Sequence, residues 1–407
     1  MKSLTVRVVL VVVAVAGAAA LSWYGLSGGP AAPPPVPGAA DGDGATPPSD
    51  GAGPAADGGE AFDPNVGGIR KPVGAPADLG SAAELGDAPA MPTRDFGTPL
   101  GKGAQVPLEL HFVPGTTSHY RIVNAISQRD RNTGQAGAQR FFADVTTDVE
   151  GVHEGGGASI RLTIDALRVQ ALYPNGFQFD FDSRAPNQQI LDHEQAGFAV
   201  KPLLAVIGKA VEFDLAPNGG PFAVRGLEDW RDAWFDVVEL LQPGGARRIT
   251  TPYSDDTVRM EWSEQLFPPV LGGALEVGAE RRVQILRDTL LKAYIDCSGP
   301  LRVTHDDGSV FRVELKATPK ALPRPGTTRS EQEQAVAKVH VQADADAYHA
   351  AWAFRRDPAR LEYAEVDAKY QQWVSWEIGR DEGGKTQYAP VFVDVERATR
   401  VELDERE

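Results

Sequence analysis

Asp180 and Asp182 alternate with Phe179 and Phe181 in a run that reads as a strand, so both carboxylates leave on one face. His193 follows in Asp192-His193-Glu194. Two carboxylates and an imidazole are the groups of an acid–base hydrolase, and clustered oxygens also suit a hard cation such as calcium. The plainer account is a strand with one wet face followed by a loop. Asp344 and Asp346 repeat the alternation and take the same account. The seven histidines are scattered, with no HExxH pair, so zinc is not expected.

Three further patterns match by letter. Gly379-Arg380-Asp381-Glu382-Gly383-Gly384-Lys385-Thr386 satisfies the phosphate-binding loop pattern. Such a loop needs a helix immediately after it, aiming backbone N–H groups at phosphate. Here Pro390 interrupts any helix at once, and Asp381 and Glu382 would repel a triphosphate. A hairpin loop is the expectation, and neither nucleotide nor any other cofactor is called for. Gly25-Leu26-Ser27-Gly28-Gly29 spells a nucleophile elbow but has no strand or sheet to strain it. Cys297, the single cysteine, excludes an internal disulfide and reads as a half-buried small residue at a strand end.

The elements that would position these groups are mostly strands. Leu108–Phe112, His119–Val123, Phe141–Val152 and Ala158–Leu172 alternate with a period of two, and Glu154-Gly155-Gly156-Gly157 joins the last two. The alternation breaks at Ala166-Leu167, which predicts a bulge. Tyr173–Phe177 and Pro217-Asn218-Gly219-Gly220 read as hairpin turns. Arg281–Asp296, Val310–Leu315, Val336–Phe354, Leu361–Ile378 and Tyr388–Leu403 read as later strands, with Ser330 and Glu333 as a small capping box before Val336. Strands of such length predict a mainly β, α+β fold: a curved antiparallel sheet or partial barrel.

Helices are expected only in the middle. Leu227, Trp230, Trp234, Val237, Val238 and Leu241 form one apolar stripe, and Val258, Trp262 and Leu266 form a shorter one ended by Pro268-Pro269. Trp230, Trp234 and Trp262 either line a ligand groove or anchor the helices on the sheet.

The N-terminus fixes where the chain works. Lys2 and Arg7 precede an apolar run from Val8 to Leu21, followed by Trp23 and Tyr24. Residues 1–27 are therefore a cleaved signal peptide or a membrane anchor, with the body exported to the periplasm or cell surface, or secreted if cleaved. Residues 28–104 are Pro, Ala, Gly and Asp with almost nothing to bury, so they form a disordered tether on the order of 50 Å long. A tether serves an anchored domain, which favours the anchor. Residues 105–270 and 271–404 then make two β-rich halves, packed together. A net charge of −16 opposes nucleic acid and anionic lipid headgroups as partners of the surface, because both require a basic face.

Taken together, Gly208-Lys-Ala-Val-Glu-Phe-Asp-Leu-Ala-Pro-Asn-Gly-Gly220 leading through Arg225-Gly226 into a helix, and Phe267-Pro268-Pro269 followed by Leu275-Glu276-Val277-Gly278, carry a likeness. The chain resembles an uncharacterised bacterial family of exported, β-rich proteins, a domain of unknown function. The resemblance covers about residues 105–400 and rests on turn and packing positions. It implies location and fold and supplies no catalytic residues. The functional expectation is a membrane-tethered, non-catalytic binding or structural domain, whose partner is an envelope protein or a hydrophobic small molecule. Alternatives are a carrier holding a hydrophobic ligand between sheet and helices, and a hydrolase using Asp180, Asp182 and His193.

Overall fold

The computed structural model describes residues 103–131, 134–173, 175–243, 252–288, 293–323, 339–380 and 386–404. The N-terminal segment, nearly all of the tether, the capping box and the centre of the 379–386 loop lie outside them.

A long hairpin starts the main sheet. β2 (Thr117–Asp130) pairs with β3 (Ala136–Val152), and β3 with β4 (Ala158–Leu172), all antiparallel. The β3–β4 register shifts where Asp144 faces Ala166 and Val145 faces Ile164, which is the bulge that the broken alternation predicts. β4 then pairs with β5 (Gln178–Asp182) and with β6 (Ala210–Leu215), which turns into β7 (Pro221–Arg225). On the other side β2 pairs with β18 (Thr386–Leu403), β18 with β17 (Arg360–Arg380), and β17 with β16 (Tyr348–Arg355). β13 (Val310–Ala317), β12 (Gly299–Asp306) and β9 (Arg281–Val283) complete the path.

The result is one antiparallel sheet of 13 strands that ends at β7 and β9 without closing. β2 and β18 adjoin at its centre, so the sheet runs through both sequence halves. β15 (Val339–Gln342) pairs with β17 beside the main path. Two smaller sheets flank it: β1 (Gln105–Pro107) with β8 (Ala274–Glu276), and β10 (Leu286–Asp288) with β11 (Ala293–Asp296) and β14 (Lys320–Pro323). The mainly β, α+β expectation is met.

Period two sorts the faces. Ile122, Ala143, Leu162, Trp352, Ala364, Val366 and Val401 turn inward and are buried. The opposite face carries ion pairs such as Arg400 with Glu365 at 3.0 Å, each about a quarter exposed. Four helices among the described residues lie in the middle of the chain: α1 (Gln188–Asp192), α2 (Glu194–Leu204), α3 (Leu227–Leu241) and α4 (Asp255–Gln265). α3 buries Leu227, Trp230, Trp234 and Val238, the predicted stripe. α4 is capped by Ser254, whose Oγ accepts from Thr257 N at 3.2 Å.

Four local readings differ. The loop expected around Asp192-His193-Glu194 is instead the junction of two helices: Asn187 Oδ1 accepts from Gln189 N at 2.9 Å and His193 Nδ1 from Ala196 N at 3.4 Å, so each helix has a cap. Val336–Phe354 is interrupted between β15 and β16, where Asp346 takes φ 57° and Asp344 and Asp346 fall in a turn. Arg281–Asp296 is three short strands, not one. Leu108–Phe112 lies outside any strand; the Leu108 N–H donates to Gly273 O at 2.8 Å and the His111 N–H to Arg356 O at 2.8 Å.

Candidate functional site: a charged cluster buried under α4

The proposed hydrolase residues do not meet. Phe179 and Phe181 turn inward, which carries Asp180 and Asp182 to the wet face of β5. Asp180 is gripped by Arg168, Nε to Oδ1 at 2.9 Å and Nη2 to Oδ2 at 2.5 Å, and accepts from Gln170 Nε2 at 3.0 Å. That bond holds the Arg168 guanidinium above its ordinary value. Asp182 Oδ1 accepts from the Arg184 N–H at 2.8 Å, closing a turn. His193 sits on the aromatic side instead, stacked on Phe177 with ring centroids 4.5 Å apart. The carboxylates and the imidazole therefore stand on opposite sides of one strand.

The three tryptophans are core. Trp230, Trp234 and Trp262 are each no more than 2% exposed. Trp230 Nε1 donates to Lys209 O at 3.0 Å, and Trp262 sets its edge against Phe213 at 6.3 Å. Thr386 opens a strand that pairs back, with Arg380 opposite Thr386 and Gly379 opposite Gln387, so a hairpin stands where a phosphate loop needs a helix. Cys297 is fully buried rather than half-buried, and burial pushes its thiol far up from the ordinary value. Among the described residues no group of His, Cys, Asp and Glu could hold a metal ion. Nor is any helix there long and apolar enough to cross a membrane.

What the structure does assemble is a buried ionic cluster. α4 is buried on opposite sides. Trp262 faces Phe213, and Glu264, two residues on, points the other way. There Arg397 Nη1 of β18 donates to Glu264 Oε2 at 2.6 Å. Arg287 Nε of β10 lies 3.4 Å from the same oxygen. Side-chain exposures are 1% for Glu264, 2% for Arg397 and 8% for Arg287. The Glu264 carbonyl accepts from Trp352 Nε1 at 2.9 Å, which locks the end of the helix onto β16. On β17 the buried Ala364 stands opposite Trp352 and the buried Ala368 opposite Arg397.

Burial alone would push the Glu264 carboxyl up, yet Arg397 and Arg287 outweigh it and hold it below its ordinary value. Burial likewise opposes charge on Arg287, and Glu264 reverses the effect, holding it above its ordinary value. Tyr348 and Tyr370 beside them are pushed up by burial and stay neutral.

Beside this cluster the inward face of β2 and β3 is polar. Arg397 stands opposite Ile126, which lies between Asn124 and Gln128 on the same face and opposite Gln139. Asn124 Oδ1 accepts from Thr399 Oγ1 at 2.7 Å. Asn124 Nδ2, Gln128 Nε2, Gln139 Oε1 and Arg287 Nη1 find no hydrogen-bond partner among the described residues, although the four residues are only 3–7% exposed.

Two openings lie elsewhere on the sheet, and neither is lined by Glu264, Arg287 or Arg397. A cleft of about 520 Å³ lies on the wet face of β2, β18 and β17. Its charges answer each other: Lys369 pairs with Glu396, and Arg131 Nε with Asp394 at 3.1 Å. An apolar slot of about 40 Å³ lies inside, lined by Leu110, Phe112, Tyr120, Leu266, Phe267 and Phe354. It has room for a few waters at most.

Sequence reading missed Glu264, Arg287 and Arg397. The available signal is parity: Arg397 alternates in step with Val395, Thr399 and Val401, and Arg287 with Val283 and Ile285.

No protein-family model and no curated protein matches the chain. Among solved structures it is similar to one titled as lipid–protein interactions in lipovitellin, at 12% identity and TM-score 0.35, over 72% of this chain and 25% of that one. It thus spans about a quarter of the lipovitellin chain. It is also similar to DynF from the dynemicin biosynthesis pathway of Micromonospora chersina, at 6% identity and TM-score 0.17, over 76% of this chain and 92% of that one. Neither likeness reaches the level of a shared family.

Proposed function

We propose that this is a non-catalytic binding domain, held outside the cytoplasmic membrane by residues 1–27 and the tether 28–104, as in the exported family it resembles. It receives a small ligand between the helical layer and the inward face of its large sheet. One observation carries this reading: four polar groups, on Asn124, Gln128, Gln139 and Arg287, are buried together without partners. Each such group costs about 1–3 kcal/mol when left unmatched, and more when charged. A ligand that supplies the missing partners accounts for all four at once.

The test is mass spectrometry of the full-length chain released in its native lipid without denaturation. A small molecule retained near one per chain is the expected result. A spectrum showing polypeptide alone, with nothing in the solvent extract, contradicts the reading.

A carrier for a wholly apolar ligand is the second reading. The slot beside Leu266 and Phe267 favours it. Its volume requires α4 to move before an acyl chain could enter.

A further inference from the structure

The charges in the cluster do not balance. Arg287 and Arg397 bring two guanidinium groups to one carboxylate, Glu264, and all three are at least nine-tenths buried. Both arginines aim at the same oxygen, Oε2, and among the described residues Oε1 of Glu264 and Nη1 of Arg287 are both left without a hydrogen-bond partner. Arginine does not lose its proton to relieve this. An uncompensated buried ion costs several kcal/mol even after relaxation.

The other carboxylate residues buried among the described residues are occupied or distant, and Glu261 of α4, whose Oε1 is also buried, lies beside Tyr253. Asp214 accepts from Ser159 at 2.7 Å and pairs with Arg225 at 3.0 Å. Asp296 accepts from the Ser298 N–H at 2.9 Å and pairs with Lys320 at 3.3 Å. Glu362 holds Arg355 at 2.5 Å and Arg360 at 3.2 Å. Asp130 lies two inward positions beyond Ile126, which places it roughly 13 Å along β2 from the strand position facing Arg397. The neighbouring Tyr348, Tyr370 and Cys297 are neutral, buried and weakly polar, so they add surface but no counter-charge.

Resting on the binding reading above, we infer that the ligand presents a monoanionic oxyanion to Arg287 Nη1. The source is the carboxylate of a fatty acid or the phosphodiester of an anionic lipid. One negative charge closes the count at two against two, whereas a dianion would overshoot it. A guanidinium fork matches the paired oxygens of either head group. Asn124, Gln128 and Gln139, on the adjoining strands, offer uncharged partners to hydroxyl, ester or second-oxygen atoms. The apolar slot lies further along the same inward face. Phe354, which lines it, is three inward positions along β16 from Tyr348 beside the cluster, about 20 Å away.

Octanoate, octanol and dihexanoyl phosphatidylglycerol, all water-soluble, test this on the full-length chain by calorimetric titration. The inference expects octanoate or the phosphatidylglycerol to bind at least tenfold more tightly than octanol, and the tighter of the two names the source. Arg287→Met should remove that tenfold preference. Arg168→Met, on the wet face, should leave the preference intact. Octanol binding as tightly as both anions overturns the inference and leaves the binding reading standing. Binding by none of the three overturns both. The comparison on the unaltered chain decides the matter even if Arg287→Met fails to fold.

Discussion

Glu264 and Arg397 are 133 residues apart in the chain, yet Arg397 Nη1 reaches Glu264 Oε2 at 2.6 Å. This one contact ties the short helix α4 to the central strand β18 through the interior of the protein. Because both groups are desolvated, neither can lose its partner cheaply. Glu264→Gln should destabilise the chain by about 3–5 kcal/mol in urea unfolding. Replacing Glu264, Arg287 and Arg397 together by Met should cost far less, because no orphaned charge remains. A triple variant less stable than the single one would show that the cluster itself supplies the stability.

The same carboxyl sets an acid limit. Its folded value lies below the ordinary 4.5, so its share of stability is complete above that pH and drains away as pH falls below it. Asp307, drawn down to about 2 chiefly by the Val310 N–H, loses its smaller and exposed share between pH 3.8 and 2. Below pH 4.5 the unaltered chain should therefore lose stability more steeply than Glu264→Gln, by up to about 1.4 kcal/mol per pH unit. Identical slopes would show that Glu264 is not held ionised.

Cys297 offers a probe of the interior. Its sulfur is fully buried and its thiol is pushed up by burial, so little thiolate forms and little reagent reaches it. Iodoacetamide at neutral pH should leave the folded chain unmodified and label it completely in denaturant. Rapid labelling without denaturant would mean that the layer containing β10 and β11 opens readily.

On the wet face the stakes are small. Arg168 and Asp180 are 45% and 41% exposed, so Asp180→Asn should change stability by about 1 kcal/mol or less. It should leave octanoate titration unaltered. A large loss of binding in this variant would return function to the residues first suspected from the sequence.

These contrasts show what the sequence discloses. The β3–β4 hairpin was legible because Ile160, Leu162 and Ile164 alternate cleanly and three consecutive glycines, Gly155 to Gly157, mark the turn. α3 was legible because its buried residues fall on one stripe. α1 and α2 were hidden by their irregular composition. Pro202 sits inside α2, and Gly197 is there because a Cβ would strike the Leu191 carbonyl oxygen of α1. α4 hid its function in a different way. Its stripe through Val258 and Trp262 explains one side, while Glu264 is buried on the other by partners far away in sequence. A charged residue in step with valines, as Arg397 is, marks an inward charge, but only the fold supplies the second arginine.

The most direct measurement is high-resolution diffraction from crystals of the full-length chain grown after octanoate binding, with attention to the space beside Arg287 Nη1. The account predicts oxyanion density within hydrogen-bond reach of that nitrogen, about 2.7–2.9 Å. A carboxylate of the chain itself in that place, or apolar packing with no oxyanion, would contradict it.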